Sequence, residues 1–422
     1  MPRRIAFYED DAARQLVPLA LLRPVFELAC GHFSNRERWV RFDDVHEWGA
    51  WLRPELGESY ALQHPEARLN DADWLARAPT TLINGRWLPP AGPLPMCGEG
   101  EALFVDETLV SLTLSPSDAD DLTWKNLLDR ITEIAQTRRR VAGDGLLIHY
   151  PWDLVHHNAQ LLRDDFARRK QNCGRVANDP QVVLQGEPES VYIDPAAEID
   201  PFVVIDARHG PVWIDAGARV LPFTRIEGPA YVGRDSQLFR AHIRQGTTVG
   251  PVCRVGGEVE ESILHGYVNS YHDGFLGHAY VCPWVNLGAL TSNSDLKNDY
   301  SAVRVPLTGT PIDTGSTKVG CFIGDHTKAA IGSLLNTGTS VGVMSMLLPD
   351  GPLLPKHVPS FTRHWRGRLE SPPDVLEKGI EAARTAMNRR DCALTAADER
   401  LLRHVFDATL AERETAFARQ NR

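Results

Sequence analysis

Aliphatic residues recur at every sixth position through much of the second half of the chain. The pattern runs through Ile193, Ile199 and Ile205, then Ile214, Val220, Ile226, Val232 and Leu238, then Ile243, Val249 and Val255, and it returns at Val281 and Leu287 and at Ile323, Ala329, Leu335 and Val341. A period of six fits neither an α-helix, with a period of about 3.6, nor a half-buried strand, with a period of about 2. It is typical of hexapeptide repeats, in which three short strands make one coil of a β-helix and each aliphatic side chain stacks on its counterpart one coil away.

A β-sandwich with glycine-rich turns is the alternative fold for such a segment. It would show alternation of period two with turns every roughly 8 to 12 residues, and that pattern is absent. Six glycines directly follow aliphatic positions, where a small residue permits a tight corner, namely Gly233, Gly250, Gly256, Gly288, Gly324 and Gly342. The β-helix is therefore favoured, and breaks in the period at 206–213, 257–280 and 294–318 are predicted to be loops that leave the coil and carry function.

The segments on either side of the repeats have a different texture. Before them, the strand-like runs Ile5–Tyr8, Thr81–Ile83 and Ala102–Val105 alternate with the helical runs Asp121–Arg138 and His156–Arg168, which predicts an α/β domain. After them come a helix over Val375–Arg389 and a second helix, with Thr395 as its N-cap, that carries Leu401, Leu402, Val405, Phe406 and Leu410 on one face. We predict domains at 1–175, 190–358 and 370–422, with a polar linker over 172–189.

Composition excludes several classes of function. Lysine and arginine number 45 against 55 aspartate and glutamate, so the net charge of −10 provides no positive field for nucleic acid or anionic lipid. The acidic start of the chain does not resemble a signal peptide, and no run approaches the ~18 apolar residues of a membrane span. The seven cysteines contain no CxxC pair. We expect a cytoplasmic protein with no nucleic-acid or membrane partner.

Two adjacent segments carry a specific resemblance. Asn269–Ala279 followed by Val285–Asn293 resembles the acetyltransferase half of the bifunctional N-acetylglucosamine-1-phosphate uridylyltransferase/glucosamine-1-phosphate acetyltransferase family. The match is closer to an alternative bacterial branch of that family and extends over essentially the whole chain. The segments shared with this branch are Gly257–Glu260, His272–His278, Trp284–Ala289, Asn293–Lys297 and Gly324–Lys328.

The resemblance implies roles for four residues of the repeats. His272 would be the catalytic base, and an imidazole with a pKa near 6.5 can take the proton of an amine at neutral pH. Asn286 and Asn293 would contact the acceptor sugar and the reacting acyl group, and Arg244 would bind a phosphate. Taken as bare residues, His272 and Arg244 also fit an exposed surface, and the two asparagines also fit stacked turns.

The segments depart from the family at the acceptor site. Phe275 replaces a tyrosine and removes a hydroxyl, and Glu261 with Ser262 follows Val259-Glu260 where the family has a lysine. The acceptor therefore need not be glucosamine 1-phosphate. Lys328 is a candidate for the missing charge, whereas we interpret Lys297 as a surface residue.

The N-terminal domain resembles a sugar-1-phosphate nucleotidyltransferase with altered residues. Leu16–Pro24, with Arg23, resembles the segment that follows the glycine-rich phosphate loop, but Glu9–Gln15 occupies the place of that loop and Val25 that of a lysine. Arg86 stands where the family aspartate holds Mg²⁺. A relocated Mg²⁺ site would need Asp10, Asp11 or Asp106.

Two histidine-containing pairs could be mistaken for metal sites. His156-His157 and Asp325-His326 lack further ligands at zinc-like spacing, so we predict no metal at either pair.

Together these observations predict an α/β nucleotidyltransferase-like domain, a left-handed parallel β-helix and a short C-terminal helical tail. The expected activity is transfer of an acyl group, acetyl in the first instance, from acetyl-CoA to an amino sugar, its phosphate or its nucleotide, in nucleotide-sugar biosynthesis. The resemblance also implies a homotrimer with the acyl-CoA slot between subunits. Two alternatives stay open, a nucleotidyltransferase whose β-helix is a trimer scaffold and a non-catalytic sugar-nucleotide-binding scaffold.

Overall fold

The computed structural model describes residues 3–92, 94–95, 97–169, 181–349 and 351–420. These residues form two compact units. The α/β unit holds the residues up to Leu16 with Leu22–Leu28 and Phe33–Tyr150, and the solenoid unit holds Val17–Leu21, Ala29–His32 and the residues from Pro151 onward. This division differs from the predicted boundary at residue 175, because the last helix of the predicted α/β domain packs on the solenoid.

The elements up to Tyr150 are a mixture of strands and short helices. In chain order they are β1 (Arg3–Tyr8), β2 (Ala29–Cys30), β3 (Phe33–Ser34), α1 (Asn35–Phe42), β4 (Val45–Trp51), α2 (Gly57–Gln63), β5 (Arg68–Leu69), α3 (Ala72–Leu75), β6 (Thr80–Asn84), β7 (Trp87–Leu88), β8 (Glu101–Val105), β9 (Thr108–Leu114), α4 (Leu127–Gln136), β10 (Arg139–Ala142) and β11 (Leu146–Leu147). The predicted strands and the first predicted helix are thus confirmed, with α4 shorter than expected.

The α/β unit is built on one seven-stranded sheet. Its strand order is β10-β8-β9-β6-β1-β4-β5, and β9 is the antiparallel member. β1 is buried over Arg4–Tyr8, as expected for a central parallel strand covered on both faces. After β1 the chain adds β4 and β5 on one side and then returns to place β6 on the other side. The order in which strands are added therefore reverses between β1 and β6.

The solenoid unit begins with the helix α5 (Pro151–Arg169). Its strands are β12 (Val183–Gln185), β13 (Val191–Ile193), β14 (Glu198–Ile199), β15 (Val204–Asp206), β16 (Val212–Ile214), β17 (Arg219–Val220), β18 (Arg225–Glu227), β19 (Ala230–Val232), β20 (Gln237–Ile243), β21 (Thr247–Val249), β22 (Arg254–Glu260), β23 (Ile263–Leu264), β24 (Asn269–Ser270), β25 (Phe275–Gly277), β26 (Tyr280–Val281), β27 (Asn286–Leu287), β28 (Ser292–Asn293), β29 (Arg304–Leu307), β30 (Thr310–Asp313), β31 (Cys321–Ile323), β32 (Lys328–Ala329), β33 (Leu334–Leu335), β34 (Thr339–Val341), β35 (Met346–Leu347), β36 (His357–Val358), β37 (Arg363–Trp365) and β38 (Arg368–Glu370). The tail adds α6 (Val375–Asn388), α7 (Ala396–Ala408) and α8 (Leu410–Gln420).

Parallel pairing between successive coils makes this unit a β-helix with three faces. The first face consists of β13, β16, β19, β21, β23, β26, β31, β34 and β36. The second consists of β14, β17, the first halves of β20 and β22, and then β24, β27, β32, β35 and β37. The third consists of β12, β15, β18, the second halves of β20 and β22, and then β25, β28 and β33. The predicted β-helix is confirmed.

The residues of the six-residue pattern line the axis of the solenoid. On the third face the inward column is Leu184, Ile205, Ile226, Ile243, Val259, Leu276, Asn293 and Leu335. Most members of the pattern are buried in one continuous apolar core, and each fully buried aliphatic side chain contributes about 1.5–3 kcal/mol.

The three predicted loops have different outcomes. The prediction of a loop at 257–280 is wrong, because strands β22–β26 continue the β-helix through this segment. Its inward residues follow Val259 in steps of five and six, and one of them is the polar Ser270, in register with Val255. The break at 206–213 is a short turn between β15 and β16. The break at 294–318 leaves the coil and carries the β29–β30 hairpin.

The ends of the β-helix also differ from the prediction. Val183–Gln185 pairs with β15, so the coils begin before residue 190, and β37 extends them beyond residue 358. Residues 170–180, with half of the predicted linker and Cys173, lie outside the described residues. Thr395 caps α7 as predicted, in a capping box with Asp398, but the helix ends at Ala408, and Leu410, half exposed, begins α8. None of the six cysteines that the structure describes forms a disulfide. Within the described ranges no helix is long and apolar enough to cross a bilayer.

A buried histidine fastens the neck of the 294–318 loop. The neck is closed by a hydrogen bond from the N–H of Val319 to the carbonyl of Asp295, at 2.9 Å. His278 places Nδ1 2.8 Å from Oδ2 of Asp295 and Nε2 3.0 Å from Oε2 of Glu261, and its side chain is 4% exposed. Burial alone would lower the pKa of His278, but hydrogen bonds to Asp295 and Glu261 outweigh it and raise the pKa to about 9. One imidazolium thus links three successive coils.

This arrangement predicts a stability that falls at alkaline pH. Because the folded pKa lies above the unfolded value near 6.5, the imidazolium stabilises the fold fully below about pH 6.5 and loses that contribution as the pH rises through about 9. We expect His278→Gln to lower the free energy of unfolding by roughly 3 kcal/mol at pH 6, and the gap to wild type to narrow by pH 9.5. Thermal unfolding followed by circular dichroism across this range measures it.

The matched control is His242→Gln, since the side chain of His242 is 42% exposed and contacts the single carboxylate of Glu227. The free energy of unfolding of this variant should differ little from that of wild type at every pH. If His278→Gln were destabilised relative to wild type by the same amount at pH 6 and at pH 9.5, His278 would not be the charged group that we infer.

Candidate functional site

His272 lies at an exposed corner of the solenoid, between β24 and β25, where the second face turns into the third. The ring of Tyr271 stacks on Phe239, with ring centroids 4.9 Å apart, and the imidazole meets Tyr271 edge-on at 6.2 Å. Gly256 lies in the coil between these two aromatic residues. A Cβ there would come within 2.3 Å of the carbonyl oxygen of Tyr271, so the close approach requires glycine. The imidazole is therefore accessible and rests on an ordered aromatic base.

Three polar side chains form a row on the second face beside this corner. Asn269, Asn286 and Lys328 are in register on three successive strands. Nδ2 of Asn269 donates to Oδ1 of Asn286 at 2.8 Å, and Nζ of Lys328 donates to the carbonyl oxygen of Trp284 at 2.6 Å. Burial lowers the pKa of Lys328 to about 8. In the described part of the chain no carboxylate lies within ion-pair distance of this ammonium group.

An aromatic stack borders the other edge of the second face. Trp284 stacks on Tyr267 with ring centroids 4.2 Å apart, and His326 lies parallel to Trp284 at 6.2 Å. All three residues have positive φ, because they occupy the same corner position in successive coils. The row of Asn269, Asn286 and Lys328 thus lies between this stack and the corner that carries His272.

The other residues predicted for the acyl-transfer site belong to the third face. Nη1 of Arg244 lies 3.1 Å from Glu258 and 2.8 Å from Glu260, so its charge is compensated within the protein. Asn293 points inward, where Oδ1 accepts from the N–H of Gly277 at 2.9 Å and Nδ2 donates to the carbonyl of the same residue. Phe275 is half-buried, and its ring covers Gly277.

The structure therefore separates the predicted residues into two groups. It brings Asn286 and Lys328 together beside the corner of His272, and it leaves Arg244 and Phe275 on a different face. Sequence reasoning assigned no role to Asn269, the hydrogen-bond partner of Asn286. The available signal was its spacing, since Asn269 and Asn286 are one coil of 17 residues apart.

A second candidate site lies in the α/β unit, where β1 and β6 end side by side. Nε and Nη2 of Arg86 lie 2.7 and 2.5 Å from the two oxygens of Asp10, and Asn84 donates to Asp10 at 2.9 Å. Burial alone would raise the pKa of Asp10, but the hydrogen bond and charge of Arg86 lower it. Glu9 is buried and engaged as well, since it accepts from the N–H of Val25 at 3.0 Å and pairs with Arg53 at 3.1 Å.

The residues present do not fit the Mg²⁺ that the family resemblance implies. Both oxygens of Asp10 are taken, and the exposed Asp11 begins a 3₁₀-helix over Asp11–Leu16 in place of a phosphate-binding loop. Asp106 follows β8. Two strands, β9 and β6, separate β8 from β1, a distance of roughly 14 Å at about 4.8 Å per strand. Arg23 is predicted to lie beside this loop, and its backbone carbonyl oxygen accepts a hydrogen bond from Nη2 of Arg53 at 3.0 Å.

Among the described residues no three His, Cys, Asp or Glu side chains come together as a metal site, and this holds for His156-His157 and for Asp325-His326.

Comparison with known proteins supports the assignment of the α/β unit. Residues 5–173 match the family model described as sugar nucleotidyl transferase. A bifunctional sugar-1-phosphate nucleotidylyltransferase/acetyltransferase from Sulfurisphaera tokodaii is 30% identical over 92 residues, which are 22% of this chain and 23% of that relative. The match thus spans under a quarter of the relative's length.

Among solved structures, an Arabidopsis UDP-N-acetylglucosamine acyltransferase is 14% identical, with a TM-score of 0.24, over 57% of this chain and 94% of that one. A UDP-N-acetylglucosamine acyltransferase from Bacteroides fragilis 9343 is 13% identical, with a TM-score of 0.20, over 57% and 96%. The β-helix itself is established by the strand pairing of this chain. Residues 5–173 are thus similar to a sugar nucleotidyl transferase domain, and the same chain continues into a parallel β-helix.

Proposed function

We propose that the solenoid transfers an acetyl group from acetyl-CoA to the amine of an amino sugar that carries a phosphate or a nucleotide. The observation that carries this proposal is the exposed His272 at the edge of a face that bears Asn269, Asn286 and Lys328 in register. The match of residues 5–173 to a sugar nucleotidyl transferase supports a sugar acceptor and a role in nucleotide-sugar biosynthesis.

The chemistry needs one base and correct positioning of two substrates. The amine nitrogen attacks the thioester carbonyl, a C–N bond forms, and the C–S bond breaks to release CoA thiolate. Neutral His272 takes the proton that the amine loses, and this proton can pass to the departing thiolate. No covalent acyl-enzyme is required, so most of the rate enhancement would come from holding amine and thioester in line.

Lys328 gives a reason to expect an anionic acceptor. Its ammonium group is largely buried and has a carbonyl oxygen as its partner, which leaves the positive charge uncompensated. A phosphate of the acceptor would supply that compensation and raise the lysine pKa toward its usual value. Arg244, by contrast, is already neutralised by Glu258 and Glu260, and Asn293 would act by holding the backbone at Gly277.

The same corner that bears His272 offers a surface for self-association. Phe202 and Phe223 stack with ring centroids 5.7 Å apart and are 60% and 70% exposed, and Leu290 and Ile331 on later coils are 62% and 73% exposed. Phe202 and Phe223 are contiguous, and contiguous exposed apolar side chains mark interaction sites more often than isolated ones do. We propose that the corner with these four apolar residues, here called the ridge, packs against other copies in a homotrimer. This packing would bring a second chain next to His272 and form the acyl-CoA slot.

Loss of the base is the direct test of the activity. We expect His272→Ala to lower kcat for acetyl transfer at least 100-fold with little change in the KM values, because general bases contribute roughly 10²–10⁴-fold. Release of CoA thiol in the presence of amino-sugar phosphates and nucleotide amino sugars measures it. His209→Ala changes another exposed turn histidine of the solenoid and should keep full activity. Full activity of His272→Ala, or no thiol release with any such acceptor, would refute the proposal.

The role of Lys328 is tested through the acceptor. We expect Lys328→Met to raise KM for a phosphorylated acceptor roughly 10- to 100-fold and to leave KM for acetyl-CoA unchanged, since a hydrogen bond to a charged group is worth about 1.5–3 kcal/mol. The wild-type KM should also rise above pH 8, where the ammonium loses its proton. Lys328→Arg keeps the cation at all these pH values, so its KM should stay flat to pH 9. An unchanged KM in Lys328→Met would remove the residue from the site.

The homotrimer is tested by mass. We expect the wild-type chain to sediment as a trimer and Phe223→Asp to shift it to the monomer, because a carboxylate on the ridge would have to be buried unpaired. Leu62→Asp changes a leucine of the α/β unit that is 61% exposed and should leave the trimer intact. A monomeric wild-type chain in analytical ultracentrifugation would rule out the assembly.

A further inference from the structure

The ion pair of Arg86 and Asp10 occupies the point where ligands of open α/β sheets normally bind. Such ligands lie outside the carboxyl ends of the strands, where the strand order reverses. In this sheet the reversal falls between β1 and β6, because β4 and β5 extend one side and β6 starts the other. Asp10 follows β1 by two residues and Arg86 follows β6 by two residues, so the pair bridges the two strand ends.

The guanidinium is fixed by the groups around it. The side chain of Arg86 is 2% exposed, its Nη1 donates to the carbonyl of Ile148 at 2.8 Å, and its backbone N–H donates to Oδ1 of Asn84 at 3.0 Å. Nε and Nη2 make a bidentate contact with Asp10, the geometry in which arginine binds carboxylates most tightly. Protein groups therefore surround the guanidinium of Arg86 on several sides.

The oxygen atoms that a metal ion would need are already hydrogen-bonded. Mg²⁺ and Mn²⁺ favour carboxylate and carbonyl oxygens. Here Oδ1 and Oδ2 of Asp10 accept from Arg86, Oδ2 accepts from Asn84 as well, and the side-chain oxygen of Asn84 accepts from Arg86. A divalent cation would have to displace a buried guanidinium and would meet its positive charge at close range.

We infer that the switch point between the ends of β1 and β6 takes no divalent cation, because the guanidinium of Arg86 occupies the place beside Asp10 that the ion would need. This place therefore cannot supply a metal ion for nucleotidyl transfer. This inference concerns the α/β unit and does not depend on acetyl transfer by the solenoid.

The test counts Mn²⁺ bound to the full-length chain by electron paramagnetic resonance of the free ion. We expect wild type and Asp10→Asn to bind the same number of ions, since Asp10 holds none. Arg86→Asp removes the guanidinium and puts a second carboxylate beside Asp10, so it should gain one Mn²⁺ per chain. Adding Asp10→Asn to that variant should abolish the gain.

Two outcomes would overturn the inference. One is a wild-type Mn²⁺ site that is lost in Asp10→Asn, and the other is a folded Arg86→Asp that gains no ion. Circular dichroism establishes whether Arg86→Asp is folded. If it is not, the thermal midpoint of wild type decides, because a cation bound to the native state would raise the midpoint when Mg²⁺ is added and lower it with EDTA. We expect no change with either.

Discussion

The stacking of side chains along the solenoid axis is the constraint on which the rest of this molecule depends. Each coil contributes one inward residue per face, and that residue contacts its counterparts above and below, so a poor fit in one coil is transmitted to its neighbours. The outward positions are free of this demand. Chemistry can therefore vary from coil to coil on the surface, and His272, Asn269, Asn286 and Lys328 all stand at outward or corner positions.

The same constraint explains what the sequence reveals. Period six predicts the β-helix because inward positions are almost all aliphatic. The pattern fails between residues 257 and 280 because Ser270 takes an inward position and two of the steps are five residues long. Asn293 is a further polar inward residue, which satisfies both its donor and its acceptor on the backbone of Gly277. A buried amide with local partners looks, in sequence, like a residue available to a substrate.

Charge pairing across coils is the part of the site that pattern reasoning could not supply. Arg244 meets Glu258 and Glu260 because one coil later the chain returns to the same face, and His278 meets Glu261 and Asp295 for the same reason. In the α/β unit, Arg86 and Asp10 are 76 residues apart, yet parallel neighbouring strands end together. Each of these contacts depends on register, which single residues do not report, so residues that resemble a phosphate or metal site prove to neutralise one another.

The neck of the 294–318 loop shows how a solenoid can gain parts without losing its pitch. Asp295 and Val319 are hydrogen-bonded across the neck, and Leu296 pairs with Lys318, so the chain leaves and re-enters the coil at nearly one point. The insertion of more than twenty residues therefore leaves the spacing of the coils on either side unchanged. Closing a long loop costs only slightly more entropy than closing a short one. The neck is therefore a place where evolution can exchange a hairpin for another insertion while every inward contact stays as it is.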